Sequence, residues 1–209
     1  MWRYQKFKVL IGCEFTGIVR DQVRKLGHEA YSCDILPSDI NSKFHIQKDV
    51  RTILNDNWDL GIFFPPCTHL CVSGARWFKD KQTEQQNALD FISRILLCPI
   101  PKIALENPIG VISTKIRKPD QIIQPYEYGH GETKATCLWL KNLPKLKPTN
   151  IVKGREQRVW KTPPGKNRWK IRSKTYPGIA KAMASQWTWT EQSFKVMYLK
   201  RSKRYMVNQ

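Results

Sequence analysis

The chain has 209 residues, with 36 Lys or Arg against 17 Asp or Glu and a formal net charge of +19. That length holds one sizeable core but not two comfortable ones. A hydrophobic content of 41% excludes a disordered polar chain, and no apolar run is long enough for a membrane-spanning helix. Charge of this size concerns partners and not fold, and it puts nucleic acid ahead of an anionic membrane surface as the expected partner.

The N-terminal stretch MWRYQKFKVLIGCEF has basic residues and then a short, strand-like apolar run, with no small-residue cleavage site. It reads as no signal peptide, hence an intracellular, cytoplasmic protein. Six cysteines stand at positions 13, 33, 67, 71, 98 and 137. Most lie in apolar context at irregular spacing, which suits buried free thiols and not a disulfide framework.

Residues 7–12, FKVLIG, predict a first strand buried on both faces. A turn through Phe15-Thr16-Gly17 leads into a helix with Val19, Val23 and Leu26 on its apolar face and Gly27 as its stop. EAYSCDI predicts a second strand ending near Asp34. An acidic residue there, about twenty residues after the turn, suits an adenosine-type cofactor whose ribose hydroxyls it would hold; an ordinary βαβ unit with a surface Asp is the other reading. Residues 44–50 predict a third strand with Asp49 at its end.

Leu60 to Phe64 predict a buried strand that stops at Pro65-Pro66. The next side chain, Cys67, is thrown out over the end of the sheet, where open α/β sheets keep their chemistry. Cys67 reads as a nucleophile, a metal ligand or a small core residue. Cys67-x-His69-x-Cys71 has the ligand types for zinc. Its tight spacing without a second cluster, and the lack of a deaminase pattern, argue against a metal.

Residues 82–97 predict a covering helix with Ala88, Leu89, Phe91, Ile92, Ile95 and Leu96 inward. Ile103 to Leu105 predict a short strand with Glu106-Asn107-Pro108 at its end. Two more strands follow within 120–140, around the turn Tyr128-Gly129-His130-Gly131. Residues 141–173 are loop-rich and basic, with Trp160 and Trp169 interleaved, a composition suited to phosphates and stacked bases. Residues 174–187 enter a helix with Ile179, Ala182, Met183 and Trp187 on one face. The expected organisation is one domain over 1–188 and a basic tail over 189–209.

In order, these features resemble the cytosine-C5 DNA methyltransferases, and the whole chain is similar to their short phage- or prophage-borne members. Phe15-Thr16-Gly17 is similar to the family's cofactor turn, Pro66-Cys67 to its nucleophile dipeptide and Glu106-Asn107 to its Glu-Asn pair. Tyr128 to Leu140 resembles its next block, and Tyr176-Pro177-Gly178-Ile179-Ala180 the block that returns to close the cofactor pocket. The resemblance implies a Rossmann-like α/β fold with a single mixed, mostly parallel sheet, and S-adenosylmethionine as cofactor.

It further implies Cys67 as the nucleophile that adds to C6 of cytosine, Glu106 as the partner of N3, and Asn107 as the residue holding the Cys loop. Phe15, Thr16, Gly17, Asp34, Ile35, Asp49, Val50 and Pro65 would line the cofactor pocket. Arg76, Lys134, Arg155, Arg158, Trp160 and Arg168 are the candidate contacts to nucleic acid, DNA first and RNA second.

Some positions depart from the family's pattern. Val19 stands where a second glycine is usual, Phe63-Phe64 precede the prolines, and Pro108 follows Asn107. Glu132 and Lys134 occupy the neighbourhood of the family's Gln-x-Arg-x-Arg block, and Gln157-Arg158 lies well downstream. The target-recognition region is reduced to 141–173, so long sequence specificity would have to come from a partner or a second subunit.

Overall fold

Apolar runs without alternation make strands that need cover on both faces, and the chain builds that sandwich. The computed structural model describes residues 5–73 and 78–188. Its strands are β1 (Lys8–Gly12), β2 (Glu29–Asp34), β3 (His45–Gln47), β4 (Leu60–Phe63), β5 (Ile103–Pro108), β6 (Gln121–Ile123) and β7 (Thr136–Lys141). They form one seven-stranded sheet in the order β3-β2-β1-β4-β5-β7-β6. Strands β1 to β5 are parallel, and β7 runs antiparallel to both β5 and β6.

The helices are α1 (Ile18–Lys25), α2 (Gln82–Leu97), α3 (Ile112–Lys115), α4 (Arg158–Lys161), α5 (Arg168–Ser173) and α6 (Pro177–Trp187). Successive side chains of β1 feed opposite cores. Val9 and Ile11 pack with Val19 and Val23 of α1 and with Ile179, Met183 and Trp187 of α6. Leu10 packs with Phe63, Leu105 and Trp139 and with Leu89, Ile92 and Ile95 of α2. Strand order reverses at β1, which has β2 on one side and β4 on the other. The crevice outside the carboxyl ends of β1 and β4 is therefore the topological switch point.

Three local expectations change. Strand β5 does not stop at Leu105. Its pairing with parallel β4 ends at Leu105, but antiparallel β7 runs on beside it, with Glu106 opposite Leu138 and Asn107 opposite Cys137. Strand β3 covers only His45–Gln47. Asp49 instead caps the 3-10 turn Val50–Thr52, its carboxylate accepting from the Arg51 amide. Leu26 lies past the last turn of α1 and is 45% exposed. Residues 189–209 lie outside the described residues. Among the described residues, no helix is long and apolar enough to cross a membrane.

Candidate active site

The turn after β1 is built around two residues in left-handed backbone, Cys13 (φ 59°) and Gly17 (φ 72°), the second being the N-cap of α1. Glu14, 4% exposed, folds its carboxylate onto the start of that helix. One oxygen accepts from the Val19 amide (2.7 Å) and the other from the Arg20 amide (3.3 Å). Burial pushes the Glu14 carboxyl up to about 7, against the pull of those two amides. Sequence reasoning missed Glu14, although an acid just ahead of a helix is a capping signal.

Of the predicted cofactor residues, Thr16 sits in the turn, its hydroxyl accepting from the Ile18 amide (3.4 Å). Phe15 is buried, covered by Trp169 of α5 at 5.7 Å between ring centroids. Asp34 is half-buried at the end of β2, one carboxylate oxygen accepting from the Leu36 amide (2.9 Å), and burial raises its carboxyl. Ile35 beside it is 71% exposed. Asp49 holds Arg51 with both carboxylate oxygens, which keeps it below the usual range. Val50 is buried in the α2-side core. Cys13 is half-buried near Asp34, Cys33 and Asp49, and desolvation followed by those neighbours pushes its thiol far up.

Strands β4 and β5 are neighbours, and their ends carry the predicted catalytic residues. Beyond Phe63 the chain makes one more sheet-like bond, from the Phe64 amide to the Gly12 carbonyl (2.9 Å), before the prolines. Cys67 then opens a tight turn in which its carbonyl accepts from the amides of Leu70 and Cys71, both at 3.0 Å. The turn is pinned to the segment after β5 by Val72 N–H to the Ile109 carbonyl (3.1 Å) and Val111 N–H to the Leu70 carbonyl (2.8 Å). Asn107, 1% exposed, donates through Nδ2 to the Pro65 carbonyl (2.9 Å).

Glu106 lines a narrow cleft with Phe64, Lys134, Thr136, Ser173, Thr175, Tyr176, Ile179 and Met183. Burial raises its carboxyl, with the Lys134 ammonium and then the Thr136 hydroxyl drawing it back. The Cys67 thiol is pushed up, first by its hydrogen bond to Cys71, then by burial and by Glu106, while Lys134 pulls the other way. Cys67, Glu106 and Lys134 thus share one electrostatic neighbourhood. Among the described residues, no group of three metal-ligating side chains is placed to hold an ion.

The predicted nucleic-acid contacts scatter. Lys134 is at the cleft, its Nζ donating to the Arg172 carbonyl (3.2 Å). Arg155 lies over the Tyr126 ring at 3.5 Å. Arg158 pairs with Glu132 (2.8 Å), whose other oxygen accepts from the Tyr176 hydroxyl (2.6 Å). The basic segment therefore folds back against the cleft. Arg168 donates to the Thr162 carbonyl (2.9 Å), and Trp160 is 74% exposed. Arg76 lies outside the described residues. The turn at His130 also closes on the site, its Nε2 accepting from the Gly178 amide at the start of α6 (3.0 Å). A wider basic groove, lined by Arg24, Lys25, Lys43 and Phe44 among others, runs along α1 and includes none of the Cys67–Glu106 group.

No protein-family model matches the sequence. No curated protein matches it either. Among solved structures, the methyltransferase EhMeth of Entamoeba histolytica superposes with a TM-score of 0.50 at 14% identity, over 71% of this chain and 58% of that one. The Dnmt2 methyltransferase of S. pombe gives 0.46 at 16% identity, over 68% and 51%. A candidate DNA modification methyltransferase encoded within an E. coli prophage gives 0.45 at 15% identity, over 76% and 56%. The chain spans between 51% and 58% of the length of these structures. In fold, then, this chain is a Rossmann-like α/β domain, similar to that of the methyltransferase EhMeth.

Proposed function

We propose that the protein transfers a methyl group from S-adenosylmethionine to C5 of cytosine in DNA. The observation that carries this reading is the joining of two strand ends. The Cys67 turn after β4 and Glu106 in β5 are tied by the Asn107–Pro65 hydrogen bond, beside a cleft that Glu106 and Lys134 line.

The carboxyl ends of β1 and β2 fit an adenosine-bearing cofactor. Ile35 offers an exposed apolar face and Asp34 a carboxylate for ribose hydroxyls, while in the turn itself the buried Arg20 guanidinium packs against Gly17. When bound, S-adenosylmethionine supplies a methyl group activated by its sulfonium.

The remaining steps belong to the chain. C5 of cytosine is a poor nucleophile until a group adds at C6, and a thiolate suits that addition. As Cys67 Sγ bonds to C6, negative charge develops toward N3. Burial raises the Glu106 carboxyl, which suits it to donate there. Lys134 offsets the charge on the Cys67–Glu106 pair. With the methyl group on C5, loss of the C5 proton to a base and cleavage of the S–C6 bond restore the ring and the thiolate. A cytosine inside a duplex must first leave the stack to reach the cleft that Glu106, Lys134, Tyr176, Ile179 and Met183 line.

The basic segment 141–173, with Arg155, Arg158, Trp160 and Arg168, takes the place of a recognition region within a unit over 1–188. A partner or second subunit then supplies long sequence specificity. A second reading, nucleic-acid binding without methyl transfer, draws on the turn itself. Val19 replaces a glycine there, and Glu14 already occupies two amides at the start of α1.

The deciding assay is transfer of labelled methyl from S-adenosylmethionine to DNA and, in parallel, to RNA. Wild-type protein is expected to form 5-methylcytosine in DNA, and Cys67→Ser to form none. Product in RNA alone would move the substrate. Absence of product on both, with nucleic-acid binding retained, would favour the second reading.

A further inference from the structure

The basic groove along α1 takes no part in the proposed reaction. Its lining brings Arg20, Arg24 and Lys25 of α1 together with Lys43 and Phe44 ahead of β3, against one carboxylate, that of Asp21. That carboxylate is already taken by the Arg20 guanidinium at 2.8 Å. Among the described residues, none of Arg24, Lys25 and Lys43 pairs with an acid. Lys25 and Lys43 are exposed. Arg24 is fixed in place, 3.2 Å from the Phe44 ring centroid and donating to the Ala30 carbonyl (3.1 Å). Lys43 approaches the same ring at 5.3 Å. Arg20 is wholly buried, where solvent and salt screen its charge least.

A second set of contacts joins this groove to the Glu106 cleft. The loop from β2 to β3, which lines the groove, passes through Asp39, whose amide donates to the Phe15 carbonyl (3.0 Å). Lys170 of α5 and Lys174 just beyond it reach the Asp39 carboxylate at 3.6 and 4.0 Å. The acid at this junction is thereby countered by two cations. Ser173, between those lysines in the chain, lines the cleft with Thr175 and Tyr176. The basic groove and the cleft therefore adjoin through Asp39 and α5.

We propose that the groove along α1 is a second contact surface for nucleic acid, holding the phosphodiester backbone of the molecule whose base enters the cleft. Lys25 and Lys43 meet the phosphates, and Arg24, stacked on Phe44, is held ready beside them. The occupant is a polyanion long enough to run from the cleft past α5 to α1, which a nucleic-acid strand is and a small anion is not. Backbone contacts of this kind read no bases; they set register and orientation. In a chain whose basic segment 141–173 is short, the body of the fold then supplies the remaining grip. The link to the cleft rests on the proposed function, but binding of nucleic acid in the groove does not.

The test is fluorescence anisotropy of the full chain with a labelled DNA duplex of about 24 base pairs, across a salt series. Lys25→Ala combined with Lys43→Ala is expected to weaken binding about tenfold at about 0.1 M salt, and to make the slope of log affinity against log salt shallower by about 2. Lys115→Ala combined with Lys118→Ala removes the same charge ahead of β6, at the opposite edge of the sheet from β3, and should change affinity by less than about twofold. Asn41→Asp adds a carboxylate to the groove with both lysines intact. It should weaken binding in the same direction, and it serves as the test if the double variant does not fold. Unchanged affinity and slope in the folded groove variant, or an equal loss in the charge-matched control, overturns the proposal. So does a loss confined to phosphatidylserine vesicles, which would make the groove a membrane contact. A groove effect in a protein that transfers no methyl group overturns the functional reading alone. Methyl transfer with DNA affinity unchanged in the groove variant overturns this one alone.

Discussion

The Asn107 side-chain amide donates to the Pro65 carbonyl at 2.9 Å, spanning 42 residues of sequence to join the ends of β4 and β5. A prolyl carbonyl accepts and cannot donate, so this contact fixes the amide with Nδ2 toward Pro65. Replacing Asn107 by Ala leaves that carbonyl without its partner in a buried setting. The expected cost is about 1–3 kcal/mol of stability. If the proposed reaction holds, methyl transfer is expected to fall by about 100-fold, because a displaced Cys67 turn would misalign the attack. Urea unfolding and single-turnover rates measure the two effects separately. An intact rate would show that the turn is held by its other bonds alone.

Gly110 is a steric requirement of the same turn. Its missing Cβ makes room for the Leu70 carbonyl oxygen, and two backbone hydrogen bonds depend on that closeness. Gly110→Ala is expected to destabilise the protein by about 1–3 kcal/mol. It should also loosen the Cys67 turn, seen as faster hydrogen exchange at Leu70 and Val111. Slow exchange preserved in the variant would contradict this account.

Glu14 makes stability depend on pH in a defined direction. Its carboxyl is raised from 4.5 to about 7 in the folded chain, so folding takes up a proton between those values. The stability it contributes is complete below about pH 4.5 and is lost as pH rises to about 7. Glu14→Gln, a neutral mimic, should therefore gain on the wild type across this window, by an amount on the order of 3 kcal/mol. Denaturant midpoints at pH 5 and pH 8 test it. A difference that stays constant, or shrinks with rising pH, would show that Glu14 ionises normally.

Trp160 separates nucleic-acid binding from folding. At 74% exposure it supports little of the core, and it stands among lysines and arginines. Trp160→Ala should weaken binding to single-stranded DNA by about 1–3 kcal/mol if it stacks on a base, with an unchanged melting temperature. Binding of both proteins should fall steeply with salt, as phosphate contacts require. Equal affinity for variant and wild type would remove Trp160 from the interface.

Much of the architecture was legible because it is local. The runs Lys8–Gly12 and Leu60–Phe63, the helix Gln82–Leu97 and the helix ending at Trp187 each carry their own period and their own stops. The Pro-Pro-Cys and Glu-Asn signals were visible for the same reason. The extension of β5 through Asn107 was not, because it depends on β7 pairing beside it from more than thirty residues away. Nor was the placement of Lys134 beside Glu106, or the return of Arg158 to Glu132 and Tyr176. Nor was the packing of Trp169, far along the chain, against Phe15.

By itself, then, the sequence determined which segments become strands and helices, and which carry a thiol, an acid or an amide at their ends. Periodicity, turn residues and chain direction act over a few residues, and they suffice for that. Only the tertiary structure decided which ends meet. The order β1-β4-β5-β7 sets the Cys67 turn beside Glu106 and brings Lys134 to both. The same packing buries Glu14 and desolvates the half-buried Glu106, raising both carboxyls. Desolvation depends on everything that surrounds a group, and no short stretch of sequence contains that.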